Sequence, residues 1–212
     1  NAYEGQLRYY SQRSGEIFGI WEAVFGGNDR LVKVLATQSA NPWTGTTVLD
    51  WQDAYKHADA IAIAPYFGNE LGDPKRADEN AKLSVEEVLN LCEKSIAGRR
   101  EATRKYAEEA KRRGLKLIAY EAGQHLVGHG GAENNQELTK LLQAANRHPR
   151  MKELYLQDLR GWRESGGELM CVFSSMGNYS KWGSWGVLEN GTQETKQAPK
   201  YQALLEFLGE KR

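Results

Sequence analysis

The chain has 212 residues, enough for one α/β domain with a sizeable core, and its 28 Lys+Arg balance 28 Asp+Glu. With a formal net charge of zero it carries neither the basic stripe that nucleic acid calls for nor an acidic tail. No apolar run exceeds strand length, so no membrane span is expected.

The opening NAYEGQLRYYSQRSG lacks the charged head and apolar middle of a signal peptide. From Gln6 to Phe25 the residues Leu7, Tyr10, Ile17, Ile20, Trp21 and Val24 recur at helical spacing, and the glycines of FGGND stop the helix. RLVKVLATQ reads as a strand over Leu31–Gln38, SANPWTG as a loop, and a helix follows near Val48–His57. ADAIAIAPYFG is a second strand, halted by Pro65 and Gly68. Ser84 and Glu87 form an S-x-x-E capping box, which opens a helix running to about Arg113. After Gly114 comes a third strand, Leu115–Tyr120, and then the loop GQHLVGHGGAENN. Helix Gln136–Asn146 follows, Pro149 opens another helix to about Glu164, and ELMCVFSSM is the fourth strand. Beyond the aromatic loop GNYSKWGSWGVLENGTQETKQ, Pro199 starts a last helix to Leu208.

Strands separated by helices are expected to lie parallel and to be covered on both faces, within a single α/β domain over residues 1–212. Ala60, Ala62, Ala64 and Tyr66 share one side of the second strand, opposite Ile61 and Ile63. In the third, Leu115, Leu117, Ala119 and Glu121 share a side, opposite Ile118 and Tyr120. Small residues on one side and bulky ones on the other suit a barrel, while a flat doubly wound sheet stays open as an alternative. No glycine-rich phosphate loop follows any strand. In parallel α/β proteins function gathers where strands end, and here the tips read Gln38, Tyr66, Glu121 and the Ser174–Trp185 region.

Several chemistries are excluded or disfavoured. The G-x-S-x-G elbow is absent, as are cysteine-protease and kinase signatures. Glu121, His125 and His129 would need a helix to meet on one metal, and their glycine-rich surroundings oppose one, so neither metal nor cofactor is expected. Cys92 and Cys171 are unclustered and read as buried thiols. Six tryptophans and ten tyrosines fit an aromatic-lined cleft. A pyranose presents apolar C–H faces within a rim of hydroxyls, so aromatic planes with amides and acids are its natural lining.

The run AIAPYFG, LIAYEAGQH, then MCVFSSMGNYSKWGSWGVLE with APKYQALLEFL resembles the last half of a clan A glycoside hydrolase, a (β/α)8 TIM-type barrel of the cellulase and mannanase kind. The resemblance covers nearly the whole chain, as helix four through helix eight with four parallel strands. It implies that Glu121 is the nucleophile of retaining hydrolysis of a β-linked glycan and that Tyr66 orients it. Trp182 or Trp185 would form the floor beneath the sugar, Trp182 being preferred. Gln38, Gln124, His125 and Asn178 would contact sugar hydroxyls, and Trp43 is either a further platform or a local anchor. Retaining hydrolysis needs a second carboxyl about 5–5.5 Å away as acid. In the family that acid ends strand four, and this sequence starts just beyond that point. The implied reading is a half barrel whose parent protein hydrolyses an oligo- or polysaccharide, secreted or periplasmic as the resemblance implies, and which alone is inactive. The alternative is a non-catalytic carbohydrate-binding or self-assembling module. Its exposed strand edges would then be covered by a second copy or by the missing first half.

Overall fold

The computed structural model describes residues 1–210. Its elements in chain order are α1 (Ala2–Phe25), β1 (Val34–Ala36), α2 (Pro42–Asp50), β2 (Ala60–Ile63), β3 (Tyr66–Phe67), α3 (Ala77–Asn80), α4 (Val85–Arg112), β4 (Lys116–Gln124), α5 (Gln136–Arg147), α6 (Arg150–Glu164), β5 (Met170–Val172) and α7 (Pro199–Gly209). Short 3-10 turns occupy Trp51–His57, Asn69–Gly72, Ala132–Asn134 and Thr195–Gln197. The protein is α/β, and β1, β2, β3 and β4 pair in parallel.

Most elements begin where local chemistry says they should. Asn1 caps α1 by accepting from the Glu4 N–H at 2.8 Å, which carries the helix back past Gln6 to Ala2. The second helix starts at Pro42 rather than near Val48, because Asn41 caps it and Pro42 fits its first turn. Residues 51–57 then wind on only as a 3-10 turn, in which Gln52 and Asp53 take positive φ. The second expected strand is interrupted after Ile63. Pro65 has no N–H for the ladder, and pairing resumes at Tyr66 as β3. β4 runs past Tyr120 to Gln124, and β5 is shorter than ELMCVFSSM suggested.

By internal packing the chain divides into two compact units. The first comprises Asn1–Pro65, Glu101–Glu121 and Arg163–Cys171, and the second comprises Tyr66–Arg100, Ala122–Trp162 and Val172 onward. In the first, Leu35, Ile61 and Leu117 lie side by side across β1, β2 and β4, fully or almost fully buried. Gly45 of α2 lets the Tyr106 ring of α4 come close, since a Cβ there would lie 2.7 Å from the ring. The Tyr10 hydroxyl of α1 accepts from Ala36 N–H at 2.8 Å and satisfies a donor at the edge of β1. Cys171 on β5 is exposed, contrary to the expectation of a buried thiol.

In the second unit β3 lies beside the end of β4, Tyr66 against Gly123 and Phe67 against Gln124. Its core gathers Phe67, Leu89, Cys92, Ile96, Leu126 and Tyr155 with further residues of α5 and α6. Burial pushes the Cys92 thiol up to about 12, so it is an inert apolar group. Asp158, buried on α6, pairs with Arg99 of α4.

Candidate functional site

Within the second unit an aromatic cluster gathers from the start of β3, the end of β4 and the loop after β5. Tyr66 opens β3, and two residues beyond its partner Gly123 stands His125. The Tyr66 and His125 rings meet edge to face, centroids 5.6 Å apart. Trp185 packs edge-on against both, at 5.8 Å from Tyr66 and 5.2 Å from His125. His129 extends the cluster at 6.3 Å from His125.

Trp185 arrives on a tight loop. Ser180 and Gly183 exchange N–H···O bonds of 3.1 Å, which puts Lys181 and Trp182 at a hairpin tip. Gly183 has φ +125°, and a Cβ on it would overlap the Trp185 indole, so only glycine fits here. The indole Nε1 donates to the Trp182 carbonyl at 2.8 Å, and the Trp185 carbonyl accepts from Ser174 N–H at 3.0 Å. Trp182 itself is 65% exposed, with the Lys181 ammonium 4.6 Å from its ring centroid. Asn178 is exposed on the same loop, and the Phe173–Ser174 peptide bond is cis.

A buried polar layer belongs to the same unit. Gln124 is 1% exposed, and its side chain donates to the Ser184 carbonyl at 2.9 Å and accepts from Leu126 N–H at 2.6 Å. The backbone N–H of Gln124 donates to the Tyr155 hydroxyl at 3.3 Å. Lys200 of α7 donates to the same Ser184 carbonyl at 2.5 Å and to Asn146 Oδ1 at 3.1 Å. Gln124, expected to contact a sugar hydroxyl, is therefore committed to internal bonds.

The remaining expected residues belong to the first unit. The side chain of Gln38 accepts from the Tyr3 hydroxyl at 3.0 Å, and its carbonyl lies 2.5 Å from the Tyr106 hydroxyl. Trp43 tilts against Tyr3 at 6.3 Å and remains exposed. Glu121 is half-buried on β4, and among the described residues its carboxylate has no hydrogen-bond or ion-pair partner. Strict alternation puts it in the row of Leu117 and Ala119, of which it is the first member not fully buried. Burial and then the charge of Glu121 raise the pKa of the neighbouring Tyr120. A separate hollow of about 470 Å³ lies at the other end of β4, around Leu115–Leu117, and is lined by Arg104, Lys111 and Glu168 among others. It is open and of mixed charge, and it holds none of the expected site residues.

Three contributors went unread in the sequence. Phe173 touches Trp185 edge to face at 5.8 Å, and its place at the exit of the fourth strand was the available signal. Asn146 and Lys200 carried none, because amides and lysines on amphipathic helices read as solvent-facing. The second unit thus assembles ring edges, a partly exposed indole and a layer of buried polar side chains. Such a surface can hold a flat ligand with polar edges. Among the described residues no group of three His, Cys, Asp or Glu side chains is arranged to bind a metal, and no helix is long and apolar enough to cross a membrane. Comparison with family models, curated proteins and solved structures found no match to this chain.

Proposed function

We propose that the chain is the carbohydrate-binding, strand-five-to-eight part of a glycoside hydrolase-like (β/α)8 domain. The observation that carries the reading is the Tyr66–His125–Trp185 cluster, three rings edge to face, from the start of β3, the end of β4 and the loop that also bears the exposed Trp182. Glu121 enters as nucleophile on the sequence resemblance alone. In the structure its side chain is half-buried on β4. The acid of a retaining pair would come from a strand outside these 212 residues. Without general acid catalysis, which contributes about 10²–10⁴-fold, the chain alone turns over negligibly.

The exposed Trp182 on the loop that carries Trp185 also favours a second reading, a module that binds sugar without cleaving it. Calorimetric titration of the chain with β-linked hexasaccharides of glucose, mannose and xylose separates carbohydrate binding from none. Saturable binding to one of them is expected, and Trp185→Ala should weaken it roughly tenfold, about 1.4 kcal/mol. No binding to any of the three removes both readings. Labelling of the complete protein with a 2-fluoro glycosyl reagent then decides between them. An adduct on Glu121 establishes the nucleophile, and an active protein without one transfers that role elsewhere.

A further inference from the structure

Lys200 has no part in the chemistry just proposed, yet it is fully buried. Its ammonium meets two acceptors, the Ser184 carbonyl at 2.5 Å and Asn146 Oδ1 at 3.1 Å, and lies 4.7 Å from the centroid of the Tyr179 ring. Among the described residues no carboxylate stands within ion-pair distance of it. A buried amine without a counter-charge is costly, and sequences that need only packing there have cheaper options such as Met or Leu. The charged and titratable groups around it are Glu189 and Tyr179 on the loop and Arg147 on α5. Burial brings the amine down to about 7, with Glu189 opposing and Arg147 assisting.

The carbonyl it grips is the one immediately before Trp185. Gln124, fixed in turn by Leu126 N–H and by Asn146 at 3.4 Å, holds that carbonyl from β4, while Lys200 holds it from α7. On the other side Gly183 already has no room to shift against the indole. The orientation of the Ser184 peptide therefore controls where the Trp185 ring can lie.

We propose that Lys200 is a positioning residue for the aromatic platform, its amine and the Gln124 amide jointly holding the Ser184 carbonyl so that Trp185 stays edge-on to Tyr66 and His125. The purpose of the clamp rests on the carbohydrate reading, whereas its existence does not.

The test is ¹⁹F NMR of the chain labelled with 5-fluorotryptophan, with the Trp185 resonance assigned through Trp185→Phe. In the wild type Trp185 should give one narrow resonance, unlike the solvent-averaged signal of Trp182. Lys200→Met should move it toward the unfolded position and leave the signal of the buried Trp162 unchanged. With pH the wild-type resonance should shift through about 7. That inflection should survive His125→Phe and His129→Phe and vanish in Lys200→Met. A folded Lys200→Met with Trp185 unmoved overturns the proposal, as does an inflection that belongs to either histidine. Should the methionine variant fail to fold, Lys200→Gln takes its place. A wild-type Trp185 as mobile as Trp182 overturns the clamp without any variant. All of these are read without sugar. A sample with an intact clamp that ignores added hexasaccharides sinks the carbohydrate reading and leaves the clamp standing.

Discussion

Gly183 shows how much a single backbone position governs. Its φ of +125° is open to glycine alone among ordinary residues, and the volume a methyl would take is filled by the Trp185 indole. Gly183→Ala should therefore cost about 1–3 kcal/mol in strain and expel the ring from its place. Urea titration gives the first number, and a red-shifted tryptophan emission reports the second. An alanine variant with unchanged emission would show that the loop has another way to seat the ring. Asp158 makes the complementary case in the core. Its carboxyl is pushed up by burial, with Arg99 pulling the other way. Asp158→Leu removes one partner of a largely buried pair and should cost about 3–5 kcal/mol, because the Arg99 guanidinium loses the Asp158 carboxylate it pairs with. A loss under 1 kcal/mol would mean that water already reaches Arg99. At this scale the sequence was half legible. Tyr66, His125 and Trp185 lie together in the structure, and the sequence names each of them as a candidate, with Trp182 preferred to Trp185. Lys200 was not found, since nothing in APKY says that the start of α7 turns inward.

Among the elements, α4 is the one whose beginning is written most completely in the sequence. Ser84 Oγ accepts from Glu87 N–H at 3.2 Å, and Glu87 Oε2 accepts from both the Ser84 N–H and its hydroxyl at 2.7 Å. The Ser84 backbone N–H, and then the hydroxyl, hold the Glu87 pKa below its ordinary 4.5. A carboxyl lowered on folding stabilises above its unfolded value and loses that advantage as pH falls through its folded one. The Tm gap between wild type and Glu87→Ala should accordingly be a few degrees at neutral pH and narrow below 4.5. A gap constant with pH would assign the loss to helix propensity. Proline and cap signals likewise marked α6 and α7. The errors fell where a signal was local but was given to the wrong side. Asn41-Pro42 reads as loop in the sequence, although it starts α2. The apolar alternation of β4 stops at Tyr120, while the backbone continues through Gly123, whose φ of +127° keeps the strand in reach of β3. Pairing between distant segments leaves no mark on periodicity, so that extension could not be read from the chain alone.

For the molecule as a whole, a formal net charge of zero means that pH acts on stability through a few displaced groups rather than through general repulsion. Lys200 is the one with the most consequence near neutrality. Its ordinary value of 10.5 falls to about 7 on folding. Between those limits the unfolded chain keeps the proton and the native chain gives it up, so unfolding takes up a proton and rising pH favours the native state. The slope is at most about 1.4 kcal/mol per pH unit, and it is absent below 7, where both states are protonated. The buried tyrosines act in the opposite sense. Tyr155 and Tyr179 are raised above their ordinary 10.0, mainly by burial, so above that pH the unfolded chain ionises first and stability declines. Urea midpoints followed by circular dichroism should therefore climb from pH 7, peak near 10 and then fall. In Lys200→Met the climb should disappear and the alkaline fall remain. A wild-type profile flat from 7 to 9 would mean that the amine stays charged in its cavity, with Tyr179 and the two carbonyl acceptors compensating it fully.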